Sequence, residues 1–541
     1  MALQPKTNIV VTKPAPVGGL NARDALSAMP ETDAVELINW IPDAYGLRSR
    51  KGFREWSTGM GAPVKSVLPY FGPSATYSAD ILSNPTEMPG KLFAATDAAI
   101  YDCTTRGAGP SSSRALSGTE NAGWLSSALL TNIAGTFLCT VSEVDGYFHW
   151  NGTTWATPTA GVGPGQIANV DPANFCFVTK WKRRLWFVEK NSTRAWYLPV
   201  DQITGSAVSL DLGALMTSGG HLSYIATWTI DAGEGIDDFL VIVGSNGDVM
   251  IYKGTDPSSA ATFQLVGTWQ VGQIPVGRRA FCQYGGDLVL LSADGVFPIS
   301  YITRGGAGLL VASSKEYSSK IRARIGPILR KSFTSRGWAM ALHPSERLLM
   351  VSMPSAAAHK NSQFAMNTTL NEWCQLQDVP MSCMGFTAGY MFTGDADGRL
   401  LLVFDDALDE VPLDDIGGNG IYGVIQPAYT NFGLPALQKM CTMLRAHFLA
   451  ASAPGVSATV AVDYSGIQSR VYPNYAEGSA ARWDSARWDQ ARWASQDGGP
   501  HADWVGVGGV GSAISAILFT GCAGDTVMTA IDYMYQPGGP L

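Results

Sequence analysis

Residues Asp238–Tyr252 read DFLVIVGSNGDVMIY: an apolar run, a polar Ser-Asn-Gly-Asp break and a second apolar run. That is the sequence form of a β-hairpin, with residues at the break that suit a tight turn. Six further stretches repeat it. They are KLFAATDAAIYD (from Lys91), TFLCTVSEVDGYFHW (Thr136), RLWFVEKNSTRAWYL (Arg184), DLVLLSADGVFPIS (Asp287), RLLMVSMPSAAAHKNSQFAM (Arg347) and YMFTGDADGRLLLVF (Tyr390). A unit recurring about every fifty residues cannot bury its own apolar faces, so neighbouring units must cover one another.

An apolar segment precedes each hairpin: VKSVLPYF, WLSSALLTN, NFCFVTKW, HLSYIATW, RRAFCQY, GWAMAL and MSCMGFTAGY. Several units end on a tryptophan, at Trp155, Trp269 and Trp373. Inner strand, hairpin and outer strand make the four strands of a propeller blade. Arg54-Glu55-Trp56 stands before the first inner strand as Glu372-Trp373 stands before the last. An outer strand with no blade of its own predicts ring closure, with residues 46–57 completing the final blade and removing exposed edges. The expectation is an all-β chain: a β-propeller of six or seven four-stranded blades over residues 46–410, with a C-terminal β-sandwich-like domain. An unclosed stack of sheets or two β-sandwiches is the competing architecture.

Composition agrees. Sixty glycines, thirty prolines and only 15% charged residues suit a turn-rich all-β chain, and 541 residues exceed one ordinary domain. No apolar run is long enough to span a bilayer, and MALQPKTNIVVTKPAPVGG lacks a signal-peptide core, so a cytoplasmic protein is expected. The eight cysteines form no CxxC pair and read as buried free thiols, and six scattered histidines lack metal-ligand spacing. Nothing demands a cofactor. A net charge of −8 argues against a module that grips nucleic acid, because duplex DNA is held by Lys and Arg, yet it suits DNA sliding past.

Along the chain, prolines 5, 14 and 16 make residues 1–18 an extended arm. Glu31-Thr32-Asp33 reads as the cap of a short helix through about Trp40, with Ala34, Leu37 and Ile38 on one face, so residues 1–45 form an arm and a helix. A basic insertion at 313–333, SSKEYSSKIRARIGPILRKSF, predicts a helix with Ile321, Ile325, Ile328 and Leu329 inward, kinked or ended at Gly326-Pro327. Its Lys315, Lys320, Arg322, Arg324, Arg330 and Lys331 form either a solvated face or a dock for an acidic neighbour. The stretch DDALDEVPLDDIGGNG (405–420), with TGDADGR (393–399), lacks calcium-loop spacing and reads as solvated loop, residues 411–420 being an acidic linker. Residues 421–541 form the C-terminal domain, holding AARWDSARWDQARWASQDGG (480–499). Its five-residue period fits neither strand nor helix. Trp483, Trp488 and Trp493 with Arg482, Arg487 and Arg492 therefore predict a structured loop, tiling a subunit contact or packing on itself.

Three stretches together resemble a known family. GGLNARDALSAMPETDAVELINWIPDAYGLRSRKGF, SSKIRARIGPILR and RWDSARWDQARW are similar to tail nozzle (tail tubular protein B-type) proteins of short-tailed bacteriophages, and the likeness extends over most of the chain. The resemblance implies a structural virion protein, assembled in the host cytoplasm as a homohexameric ring below the head–tail adaptor protein. Such a ring continues the channel for double-stranded DNA, conducts the genome during ejection, and helps carry tail fibre or spike proteins. It implies no catalytic residues.

Two other classes compete. Glycoside-cleaving propellers need two carboxylates about 5–10 Å apart. Asp145, Asp294, Asp395 and Asp397 lie near turns, where Asp-Gly has an ample structural cause. FHWNGTTW (148–155) resembles the turn motif of sialidase propellers, but Trp150 stands at that motif's Asp. A non-catalytic glycan-binding tip protein, using aromatic side chains as sugar platforms, is the third class.

Overall fold

The computed structural model describes residues 8–72, 86–231, 236–304, 316–354, 362–466, 470, 472–473 and 499–540. Each predicted hairpin forms, and each predicted inner strand pairs with it. The sheets are Ser66–Tyr70 through Ala115, Leu125–Asn132 through Ala156, Phe175–Trp181 through Asp211, and Leu222–Asp231 through Gln270. Then come Phe281–Tyr284 through Pro298, Ala339–His343 through Leu376, and Cys383–Thr387 through Asp406. The first four are four-stranded sheets and the fifth has three strands; the four strands of the sixth run on into a larger sheet, and the three of the seventh are joined by strands from earlier in the chain. Along the outer edge of the fifth sheet runs the backbone of Glu316–Ser318, where Tyr317 N–H donates to the Val296 carbonyl at 3.2 Å.

The ring closes as the stray outer strand predicts. Strand β5, Gly52–Thr58 when the N-terminal strands are numbered along the chain, pairs antiparallel with Leu400–Asp406 of the last blade. Trp56 is fully buried there, its Nε1–H donating to Cys103 O at 2.7 Å and its ring meeting Phe392 edge-on at 5.1 Å. The last inner strand then packs on the first, Gly385 lying so close to Val67 that a Cβ would stand 2.6 Å from it. The closing segment is shorter than expected, because Gly46–Ser49 belongs elsewhere.

The tight turns behave as turns. At Gly247, φ is +94° and an added Cβ would meet Val271 O at 2.0 Å, so glycine is required. Neighbouring Asp248 is buried and accepts from Thr217 and Ser218. The cysteines are free; seven are buried, and burial pushes the Cys103 and Cys374 thiols up to about 12.

The predicted helix at 31–40 is not formed. Asp33 N–H closes a turn on Pro30 O, and the chain continues as β2 (Ala34–Ile38), β3 (Trp40–Asp43) and β4 (Gly46–Ser49). β2 lies between Glu372–Leu376 of the sixth blade and Ile421–Pro427, giving an eight-stranded sheet. Buried on both faces, it loses the alternation that marks a half-exposed strand, and its apolar spacing mimics a helix. The extended arm is itself a strand, β1 (Ile9–Pro14), paired with Val527–Pro540.

The C-terminal unit is accordingly not self-contained within 421–541. One sheet holds Ile421–Pro427, Ile514–Cys522 and Gly455–Val462 beyond β2; the other holds Leu437–Ala450 and Val527–Pro540 with β1, β3 and β4. They face each other across Tyr533, whose hydroxyl accepts from Ala516 N–H at 3.4 Å, and Trp40, which donates to Thr520 at 3.0 Å and packs near Phe448.

The axis of the propeller is crossed by the loop Gly277–Arg279. Trp124 Nε1–H donates to Gly277 O at 2.6 Å, and the Arg279 guanidinium lies 3.8 Å above the Trp124 ring. Arg279 reaches Lys65 O, Ser66 Oγ and Leu125 O, tying the fifth sheet to the first two blades. Its remaining exposure faces an axial cavity of about 580 Å³, and burial pushes its pKa down to about 10.

Candidate functional site

The predicted interface residues fall in two places. The basic helix runs Arg322–Ser332 and passes through Pro327 without stopping. Pro327 sits in the second turn, where its missing N–H removes one helical bond but leaves the later turns intact. Ile321, Ile325 and Leu329 are buried and Ile328 packs against the core, as the spacing predicts. Lys315 and the whole Arg482–Trp493 repeat, with its three arginines and three tryptophans, lie outside the described residues.

Lys320 and Arg324 find their acidic neighbours within the chain. Lys320 Nζ donates to Gly18 O at 2.7 Å, Glu372 at 2.8 Å and Asp33 at 3.3 Å. Arg324 forks onto Glu36 at 2.7 and 3.0 Å and reaches Val35 O. Arg322, half-exposed, meets Glu316 at 3.3 Å. Burial pushes the Glu372 and Glu316 carboxyls up, against the pull of Lys320 in one case and of Ser318 and Arg322 in the other. Arg330 and Lys331 end the helix on the exposed side.

This seam is built from the N-terminal stretch. Gly19, at φ +71°, lets the chain pass against Trp373, whose carbonyl accepts Leu20 N–H at 2.7 Å; a Cβ there would stand 2.8 Å from that oxygen. Ala22 N–H donates to Lys320 O at 2.7 Å. Further on, Arg50 is fully buried and forks onto Asp409 at 2.5 and 2.6 Å, with Asn39 Oδ1 on its Nε. Arg48 and Lys51 both hold Glu346. The acidic stretch 405–420 is therefore no plain solvated linker: Asp409 is buried, and Asp415 binds Arg106 at 2.6 Å. Sequence reading missed Arg50 and Asp409 because nothing in their local spacing couples positions 359 residues apart.

Two of the acids weighed for glycoside cleavage have structural partners. Asp395 is buried, accepts Asp397 and Arg399 N–H, and pairs with the Arg399 side chain at 2.6 Å. Asp145 accepts Ser117 N–H. At FHWNGTTW, Asn151 makes the turn by accepting Thr153 and Thr154 N–H. Among the described residues, no group of three or more His, Cys, Asp or Glu is placed to hold a metal, and no helix is long and apolar enough to cross a membrane.

No family model and no curated protein matches the chain. Among solved structures it is similar to YCF48 from Cyanidioschyzon merolae, at 8% identity and TM-score 0.27, covering 65% of this chain and 98% of that one. It is also similar to YCF48 bound to D1 peptide, at 12% identity and TM-score 0.30, covering 51% and 92%. The class defined by the strands themselves is a β-propeller.

Proposed function

We propose that this chain is a structural subunit of a short-tailed phage's tail nozzle, forming a ring that conducts double-stranded DNA below the head–tail adaptor and helps attach fibres or spikes. One observation carries the reading. Two of the three stretches that resemble nozzle proteins, far apart in sequence, fold onto each other through Lys320, Arg324, Asp33 and Glu36. Stretches that make one joint would keep their character together.

The DNA path in this reading is the lumen of the ring, not the propeller axis, which Gly277–Arg279 crosses. An acidic subunit, net charge −8, suits passage without retention. Native mass spectrometry of the purified protein tests the proposal. A species of six 57.5-kDa chains that binds free duplex only weakly is expected. A monomer at all concentrations, or tight salt-sensitive DNA binding, overturns it.

A further inference from the structure

At one end of the propeller axis lies a second cavity of about 500 Å³, lined by Lys65, Asn121, Trp124, Ser335 and Arg336, among others. It shares Trp124 with the axial cavity. The charges around these two spaces do not balance. Two guanidinium groups, Arg278 and Arg336, share one inward carboxylate, Glu143. Arg278 Nε donates to it at 2.6 Å and Arg336 Nη2 donates to its other oxygen. Arg279 is served by carbonyls, Ser66 and the Trp124 ring, with no carboxylate bonded to it among the described residues. Lys65 is matched by Asp97 at 2.5 Å, and Glu120 on the rim is exposed.

Arg279 and Arg278 act as struts, the latter also holding Leu222 O and Ser223 O. Arg336 differs. Its side chain keeps 25% exposure where it lines the cavity, Glu143 is its one ion-pair partner among the described residues, and Glu120 on the rim acts on it from farther off. Thr334, Ser335 and Asn121 bring hydroxyl and amide groups to the same rim. Planar donor forks of this kind fit carboxylate and phosphate oxygens.

We infer that the mouth of the propeller axis is a binding site for a small oxyanion, a phosphate or carboxylate group, held by Arg336 with Asn121, Thr334 and Ser335 at its rim. The space accommodates such a group with a small organic body attached.

Isothermal titration calorimetry of the full-length chain tests this, with sodium phosphate and sodium acetate compared against sodium chloride at matched ionic strength. A saturable heat with either oxyanion, absent with chloride, is expected, and the stronger of the two identifies the head group. Arg336→Gln should weaken it at least about tenfold. Ser335→Glu, which removes no side-chain contact and supplies a carboxylate in place, should abolish it even if Arg336→Gln fails to fold. Equal heats for chloride and the oxyanions, or undiminished binding in Ser335→Glu, overturn the inference.

Discussion

Arg50 and Asp409 form a two-pronged ion pair across 359 positions of sequence, with the guanidinium sealed from solvent. The pair sits where the N-terminal stretch, the end of the propeller and the C-terminal unit converge. Burial pushes the Asp409 carboxyl up, against the pull of Arg50. Arg50→Ala should destabilise by about 3–5 kcal/mol, through the charge left behind. Joint replacement of Arg50 by Met and Asp409 by Leu should recover most of that loss. Urea unfolding of the single and double variants measures both.

Ring closure depends on Trp56. Trp56→Ala removes a buried ring and its bond to Cys103 O, and should cost about 3–5 kcal/mol. Deletion of residues 1–58 should do more, exposing the edge of Leu400–Asp406 to other chains. Light scattering at matched concentration should show aggregation of the deletion variant under conditions where the intact chain stays clear.

The basic insertion divides into internal and external halves. Lys320→Ala leaves Asp33 and Glu372 without their cation and should cost about 2 kcal/mol, less than a fully buried pair because Lys320 is partly exposed. Joint Arg330→Glu and Lys331→Glu should change stability by less than about 0.5 kcal/mol. If these two face a neighbouring subunit, the same change lowers the assembled fraction in analytical ultracentrifugation. Unchanged assembly would remove them from the interface.

Acid should weaken the protein through its buried histidines. His343 is buried between Phe386 and Phe404, and its Nδ1 accepts Glu346 N–H, which requires the neutral ring. Burial pushes its pKa down to about 4, as it does for His149. With the folded value below the ordinary one near 6.5, the stabilisation is complete above about pH 6.5 and is lost as pH falls toward 4. Each histidine should contribute about 3 kcal/mol to that loss. His343→Gln, which keeps an acceptor, should flatten the profile between pH 6.5 and 4 in denaturant titrations.

Joint replacement of Trp483, Trp488 and Trp493 by Ala decides what the tandem repeat does. A shift of native mass from ring to single chain is expected if the repeat tiles a subunit contact. Intact rings would mean that it packs locally.

The propeller was legible because its signal is local and repeated. Alternation within each hairpin and the Trp-ended outer strands mark blades one at a time, and the leftover Trp56 announces closure. The N-terminal stretch was not, for a physical reason. β2 is buried on both faces, so Ala34, Leu37 and Ile38 show a helix's spacing while forming a strand. The C-terminal unit looked separable because an acidic stretch, 411–420, precedes it, yet its sheets are completed by strands from the other end of the chain. The Arg278-Arg279 doublet stood in plain view before an inner strand; only the closed ring shows that it crosses the axis.

β1 pairs with Val527–Pro540, Ile9 opposite Tyr535, so this strand waits for a partner made more than 500 residues later. At about 5–20 residues per second, that wait is roughly 25–100 s of synthesis. Until then β1 has no edge to join. A chain broken off anywhere before residue 527 therefore leaves β1 unpaired, and synthesis of Val527–Pro540 becomes the condition for sealing this edge.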